Sequence, residues 1–209
     1  MALTIYGTAA SRAMRTLWAA EELGLPYEHV KLGFKTPDIK SPEFLKINPN
    51  GMIPAIDDGG VRMFESLAIN LHLARQYGAG ALGAATPAED ALILQWTLWA
   101  ATEVEPIVRQ WFMHTAYLPE AERQPALVAA ALEALKPKYA ILEGVLGGQE
   151  WLVGGRFTVA DLNLAAVLSR LAELGGTAWP HLAAWHARCM SRPAAVKALA
   201  MRAAALAAN

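Results

Sequence analysis

Thiols are almost missing from this chain: among 209 residues only Cys189 carries one. An internal disulfide and a cysteine-built metal cluster are therefore excluded. The five histidines are scattered without ligand spacing, so no metal is expected. Charge is sparse as well, at 18 % of residues with a formal net charge of −1. No basic run exists to meet nucleic acid or an anionic membrane surface. Hydrophobic residues reach 55 %, much of it alanine, yet charges or glycines interrupt every apolar stretch. None approaches the ~20 apolar residues of a membrane span. The sequence reads directly into a strand, with no charged leader and cleavage site, so a cytoplasmic protein is expected. The length suffices for one large domain or two small ones with real cores.

What is present divides the chain in two. Leu3-Thr4-Ile5-Tyr6 alternates like a strand, Met14, Leu17 and Trp18 follow at helical spacing, and Gly24 suits the end of that helix. Tyr27 to Leu32 is a second strand, which makes a β-α-β unit with a parallel pair. A polar stretch from Gly33 to Lys46 follows. Ile53 to Asp57 and Val61 to Phe64 then flank the turn signal Asp58-Gly59-Gly60, and Ser66 to Tyr77 is helical. Residues 79–85 carry no pattern and read as a linker. Beyond them the strand signals vanish. Thr86-Pro87-Ala88-Glu89 is a capping box opening a helix to about Tyr117, kinked at Pro106. A second long helix covers much of Glu120 to Leu146. A third runs from Thr158 to near Gly175, and two shorter ones divide at Arg192-Pro193. There is no internal repeat.

The densest signal is Asn48-Pro49-Asn50-Gly51-Met52-Ile53-Pro54-Ala55-Ile56 with Phe64-Glu65-Ser66 close behind. Pro54 cannot donate to a sheet ladder. A cis bond before it would turn the Ile53 backbone outward, free to pair with an extended ligand as if with another strand. Glu65 and Ser66 fall at a helix start, where backbone N–H groups can hold a carboxylate. The combination suits a small peptide bearing both an amine and a carboxylate.

These residues resemble the cytosolic glutathione transferase family, and within it the serine-type, theta- or phi-like bacterial members. The resemblance covers nearly the whole chain. It rests on the 48–54 and 64–66 segments and on Thr158-Val159-Ala160-Asp161. Tyr27 after Glu22-Leu23-Gly24-Leu25-Pro26 and the ending from Trp179-Pro180-His181-Leu182 to Arg192-Pro193 also match. It implies an α/β thioredoxin-like glutathione-binding domain over 1–78 and an all-helical domain over 86–209. The helical domain would line the electrophile site and the dimer interface. It further implies a homodimeric detoxification enzyme that conjugates reduced glutathione to hydrophobic electrophiles, with glutathione as substrate and no tightly held cofactor.

A thiol of reference pKa about 8.5 attacks well only as the thiolate, so a donor aimed at sulfur is needed. Ser11 is the candidate catalytic residue: it follows the first strand and turn, and it precedes Arg15 at the spacing of the family's serine-type members. A serine there can equally be a plain helix cap. Tyr6 is the rival, since other members use an N-terminal tyrosine, although within a strand an aromatic more often packs. Cysteine-type members carry cysteine where this chain has Ala10, which argues against mixed-disulfide chemistry. For glutathione itself, Ile53 and Pro54 would present the paired backbone. Glu65 would accept from the α-ammonium, Ser66 would hold the α-carboxylate, and Lys40 suits the glycyl carboxylate. Asp161 is expected to cap a buried helix start. Trp96 and Trp99 read as core or subunit contact. The electrophile site, expected to be apolar and to lie between the domains, draws Ala10, Arg109, Trp111, Met113 and His114 as candidates, against a reading of core plus solvated face. Glu103 is a candidate to reach the site across a dimer. Alternatives are a glutathione-dependent isomerase, dehalogenase or ether-cleaving enzyme, or a non-catalytic binding module.

Overall fold

The computed structural model describes residues 3–208. It comprises two compact units, Met1–Ala85 together with Ser191–Asn209, and Thr86–Met190.

The first unit opens with β1 (Leu3–Tyr6), α1 (Ala13–Glu22) and β2 (Tyr27–Val30). β1 and β2 pair in parallel, as the β-α-β pattern requires. A 3-10 turn at Pro37–Lys40 and the one-turn helix α2 (Pro42–Leu45) lead to β3 (Ala55–Asp58), β4 (Val61–Phe64) and α3 (Ser66–Tyr77). The sheet order is β2-β1-β3-β4, with β3 antiparallel to both neighbours. α1 is buried on all sides from Ala13 to Ala20, because β1, α3 and the C-terminal helix Pro193–Ala207 all pack on it. Asp58, itself buried, ties α3 to the sheet: His72 Nε2 lies 2.7 Å from its carboxylate and the Tyr77 hydroxyl donates at 2.6 Å. One expectation shifts here. The strand set at Ile53–Asp57 begins only at Ala55. Pro54 has no N–H to give the ladder, so Ile53 stands outside it. The Ile53–Pro54 bond is cis.

In the second unit α4 (Pro87–Trp99) and α5 (Glu105–Phe112) form one helical run to Tyr117, interrupted by wider π turns at Ala100–Val104 and Met113–Tyr117. Pro106 cannot donate to the carbonyl one turn back, and the turn before it is the first of these π segments. The start is capped by Thr86, whose hydroxyl accepts from the Glu89 N–H at 3.2 Å, while the Glu89 carboxylate holds Arg156. α6 (Pro125–Leu146) covers most of the expected Glu120 to Leu146 stretch, after a separate 3-10 turn at Glu120–Glu122. α7 (Val159–Val167) is buried throughout and stops well short of Gly175; turns fill the gap. Asp161 starts it as anticipated, accepting from the Thr158 N–H, the Thr158 hydroxyl, the Leu152 N–H and the Trp185 indole at 2.8–3.1 Å. α8 (Pro180–Met190) supplies that Trp185, which is fully buried with Tyr139, Leu135 and Leu142.

The last helix, α9 (Pro193–Ala207), departs from the expected 86–209 domain: it groups with the sheet and packs along α1. Buried Ala195 and Ala198 leave room for close approach. Arg192 pairs with Glu22, and Lys197 with Glu21 at 2.7 Å.

Candidate active site

The turn between β1 and α1 is shaped by Gly7. Its φ is 130°, and a Cβ there would stand 3.0 Å from Ile53 Cβ and 3.1 Å from Ala13 Cβ. Glycine thus lets the turn that carries Ser11 press directly against Ile53. Ser11 lies one residue outside the helix, whose N-cap is Arg12. Its hydroxyl donates to the Thr8 carbonyl at 2.7 Å and accepts from the Ala13 N–H at 3.1 Å. Ser11 thus takes one free N–H at the helix start without being its N-cap, and the proton that would meet a sulfur rests on Thr8. Thr8, which sequence reasoning passed over, adds a second hydroxyl in the same turn; it accepts from the Ala10 N–H at 3.4 Å. Tyr6 packs edge-to-face on Phe44, with centroids 5.8 Å apart, beside Ile39 and Ala55. Burial, then the carboxylates of Asp57 and Glu28, raise its phenol pKa, which makes it a poorer donor to an anion.

The segment before Ile53 is held by one buried side chain. Asn48 donates to the Met52 carbonyl at 2.7 Å and accepts from the Asn50 N–H and side-chain amide at 3.0 Å. Lys40 lies over this loop, its Nζ donating to the Asn50 carbonyl at 3.1 Å. Gly51 makes that possible: with φ 58°, a Cβ there would meet the same Nζ at 2.6 Å. The Ile53 N–H and C=O have no partner among the described residues.

At the start of α3, Glu65 has φ 70° and ψ 104°, the only positive φ outside glycine among the described residues. Strain of this kind collects at ligand sites. Its carbonyl accepts the Ile69 N–H at 2.9 Å, while its exposed carboxylate has no partner among the described residues. Ser66, 4 % exposed, accepts from Arg15 Nη1 at 3.3 Å, and Arg15 is itself only 8 % exposed. A buried guanidinium thus stands behind the hydroxyl at a helix N-terminus. The sequence marked Arg15 only by its spacing from Ser11.

The helical candidates scatter. Trp111 is buried, at 5 % exposed. Arg109 is exposed, and Met113 and His114 are half-buried. His114 Nδ1 accepts from the Gln124 N–H at 3.3 Å and lines an open groove of about 550 Å³ with Arg123, Val128 and Leu132. Phe112, not singled out by the sequence, lies under the Arg170 guanidinium at 5.5 Å. Glu103 pairs with Lys138 of its own chain at 2.6 Å. Trp96 and Trp99, both half-buried, meet edge-to-face at 5.4 Å.

Residues 1–75 match the family model described as "Glutathione S-transferase, N-terminal domain", and 106–193 match "Glutathione S-transferase, C-terminal domain". Glutathione S-transferase GstB of Escherichia coli K12 is 31 % identical over 201 residues, spanning 93 % of this chain and 96 % of the relative. The theta-class glutathione S-transferase of Xanthomonas axonopodis pv. citri, solved with glutathione bound, is 35 % identical. It superposes with a TM-score of 0.85, covering 94 % of this chain and 96 % of its own. Glutathione transferase URE2P5 of Phanerochaete chrysosporium reaches a TM-score of 0.90 at 26 % identity, covering 99 % and 96 %. The first unit is accordingly thioredoxin-like and the second all-helical, and the chain belongs to the glutathione S-transferase family.

Proposed function

We propose that this chain binds reduced glutathione on its first unit, ionises the thiol beside Ser11, and adds the thiolate to a hydrophobic electrophile. The observation that carries the reading is the start of α3. An exposed acid held in a strained backbone adjoins a buried hydroxyl backed by Arg15. That layout suits a zwitterionic γ-glutamyl head, with ammonium on Glu65 and carboxylate on Ser66 and the α3 N-terminus. Ile53 then offers its N–H and C=O to the cysteinyl unit as a strand would, and Lys40 faces the glycyl carboxylate. Gly7 brings the Ser11 turn to Ile53, so the sulfur of a peptide paired there comes to the α1 N-terminus. The relatives' names and the glutathione held by the Xanthomonas protein support this reading.

In the step itself the Ser11 proton leaves the Thr8 carbonyl for the sulfur. The thiol proton passes to solvent and the sulfur lone pair forms the new C–S bond, while the electrophile's leaving group departs with its bonding pair or, in an addition, its π pair moves to the adjacent atom and takes a proton from solvent. Each unit by which the thiol pKa falls is worth about 1.4 kcal/mol. Ala10, Arg109, Trp111, Met113 and His114 are the proposed contacts of the electrophile. The active form is proposed to be a cytoplasmic homodimer. No described helix is long and apolar enough to cross a membrane.

One observation favours a second reading, a glutathione-binding module without turnover: the Ser11 hydroxyl is already satisfied within its own turn. Titration of the bound thiol separates the two. Ser11→Ala is expected to leave glutathione affinity nearly intact and to raise the thiol pKa. An unchanged titration removes Ser11 from the chemistry.

A further inference from the structure

We propose that Arg15 is a positioning residue for the ligand's α-carboxylate, acting through Ser66. This rests on the reading of Ser66 given above. Arg15 sits on α1 and Ser66 on α3, and the guanidinium donates to Ser66 Oγ at 3.3 Å with both residues buried. A serine hydroxyl has one proton and two lone pairs. With a lone pair committed to a permanent cation, the proton is left to turn outward, toward an anion at the helix start. The guanidinium remains charged at every accessible pH. Its field in a poorly solvated site adds to the positive end of α3, a 12-residue helix. A neutral residue of the same bulk would leave the Ser66 proton free to settle elsewhere. A purely architectural Arg15 would only hold α1 to α3, and would serve every ligand alike.

Calorimetry with two ligands distinguishes these roles: glutathione, and the analogue with γ-aminobutyrate in place of the γ-glutamyl residue, which lacks only the α-carboxylate. The parent protein is expected to prefer glutathione strongly. In Arg15→Met that preference should shrink roughly ten- to hundredfold, the scale of a charged hydrogen bond, with affinity for the analogue little changed. Arg15→Lys should recover part of it, since the charge returns without the planar fork. Ser66→Ala added to Arg15→Met should cost little more, because the two act on one contact. Should Arg15→Met not fold, the same ratio is read on Arg15→Lys, where an undiminished preference overturns the proposal. Equal weakening of both ligands also overturns it and leaves Arg15 architectural. If the parent protein itself does not discriminate between the ligands, the placement of the carboxylate at Ser66 falls, and this inference with it.

Discussion

Glu65 shows what a binding residue imposes on its own backbone. At φ 70° and ψ 104° an ordinary side chain is held in a conformation costing about 1–3 kcal/mol. Two substitutions separate that strain from its use. Glu65→Ala should keep the strain and weaken glutathione binding by about 1–3 kcal/mol, as for a lost charged hydrogen bond. Glu65→Gly should lose the same affinity, yet give a protein more stable than Glu65→Ala by roughly 1 kcal/mol, since glycine adopts positive φ freely. Calorimetry and urea unfolding check the pair, and equal stability of the two variants would mean that the backbone is not strained. Glu65 and Ser66 were legible because their chemistry is written in consecutive residues. Arg15 was not: its contact spans 51 residues, and nothing in the α1 pattern says which side chain turns toward α3. The burial of Trp111 was hidden for the same reason: an aromatic on a helix reveals its type, but which neighbours cover it is settled by packing from elsewhere in the chain.

Elements were readable where a local rule decides them. The Thr158/Asp161 box fixed the start of α7 because both partners lie within one turn. The end of α7 was missed, since the apolar stretch continues through Leu168 and Leu171 while the backbone passes into turns. Composition alone does not distinguish buried turns from buried helix. The network on Asp161 makes a stability prediction at this scale. Asp161→Ala strands the Leu152 N–H and the Trp185 indole as well as the cap, and should cost about 3 kcal/mol or more. Thr158→Ala should cost only ~1 kcal/mol. Denaturant unfolding with unchanged m-values would register both, and a loss at Asp161 no larger than at Thr158 would refute the network's weight.

For the whole molecule, α4 leaves Leu94 and Leu98, one turn apart on the same face, exposed at 38 % and 53 %. Buried against a second copy, they would account for the proposed homodimer. Leu98→Arg is expected to shift sedimentation from dimer to monomer at micromolar concentration; a monomeric parent protein, or a dimer indifferent to this change, would rule out α4 as the contact. The family resemblance placed the final helix with the helical half, and its own residues give only a helical pattern. Its electrostatic partners, Glu22 and Glu21, stand 170 and 176 positions earlier, a pairing invisible to any local window. That closure has a consequence during synthesis. A nascent chain emerges from its N-terminus onward, so α1 appears early but lacks its companion until nearly all of this sequence has been translated. The unit that would grip the tripeptide thus has Glu22 of α1 made 170 residues before the Arg192 that pairs with it. A ribosome stalled within the helical half would leave α1 with bare apolar surface, a natural mark for chaperones.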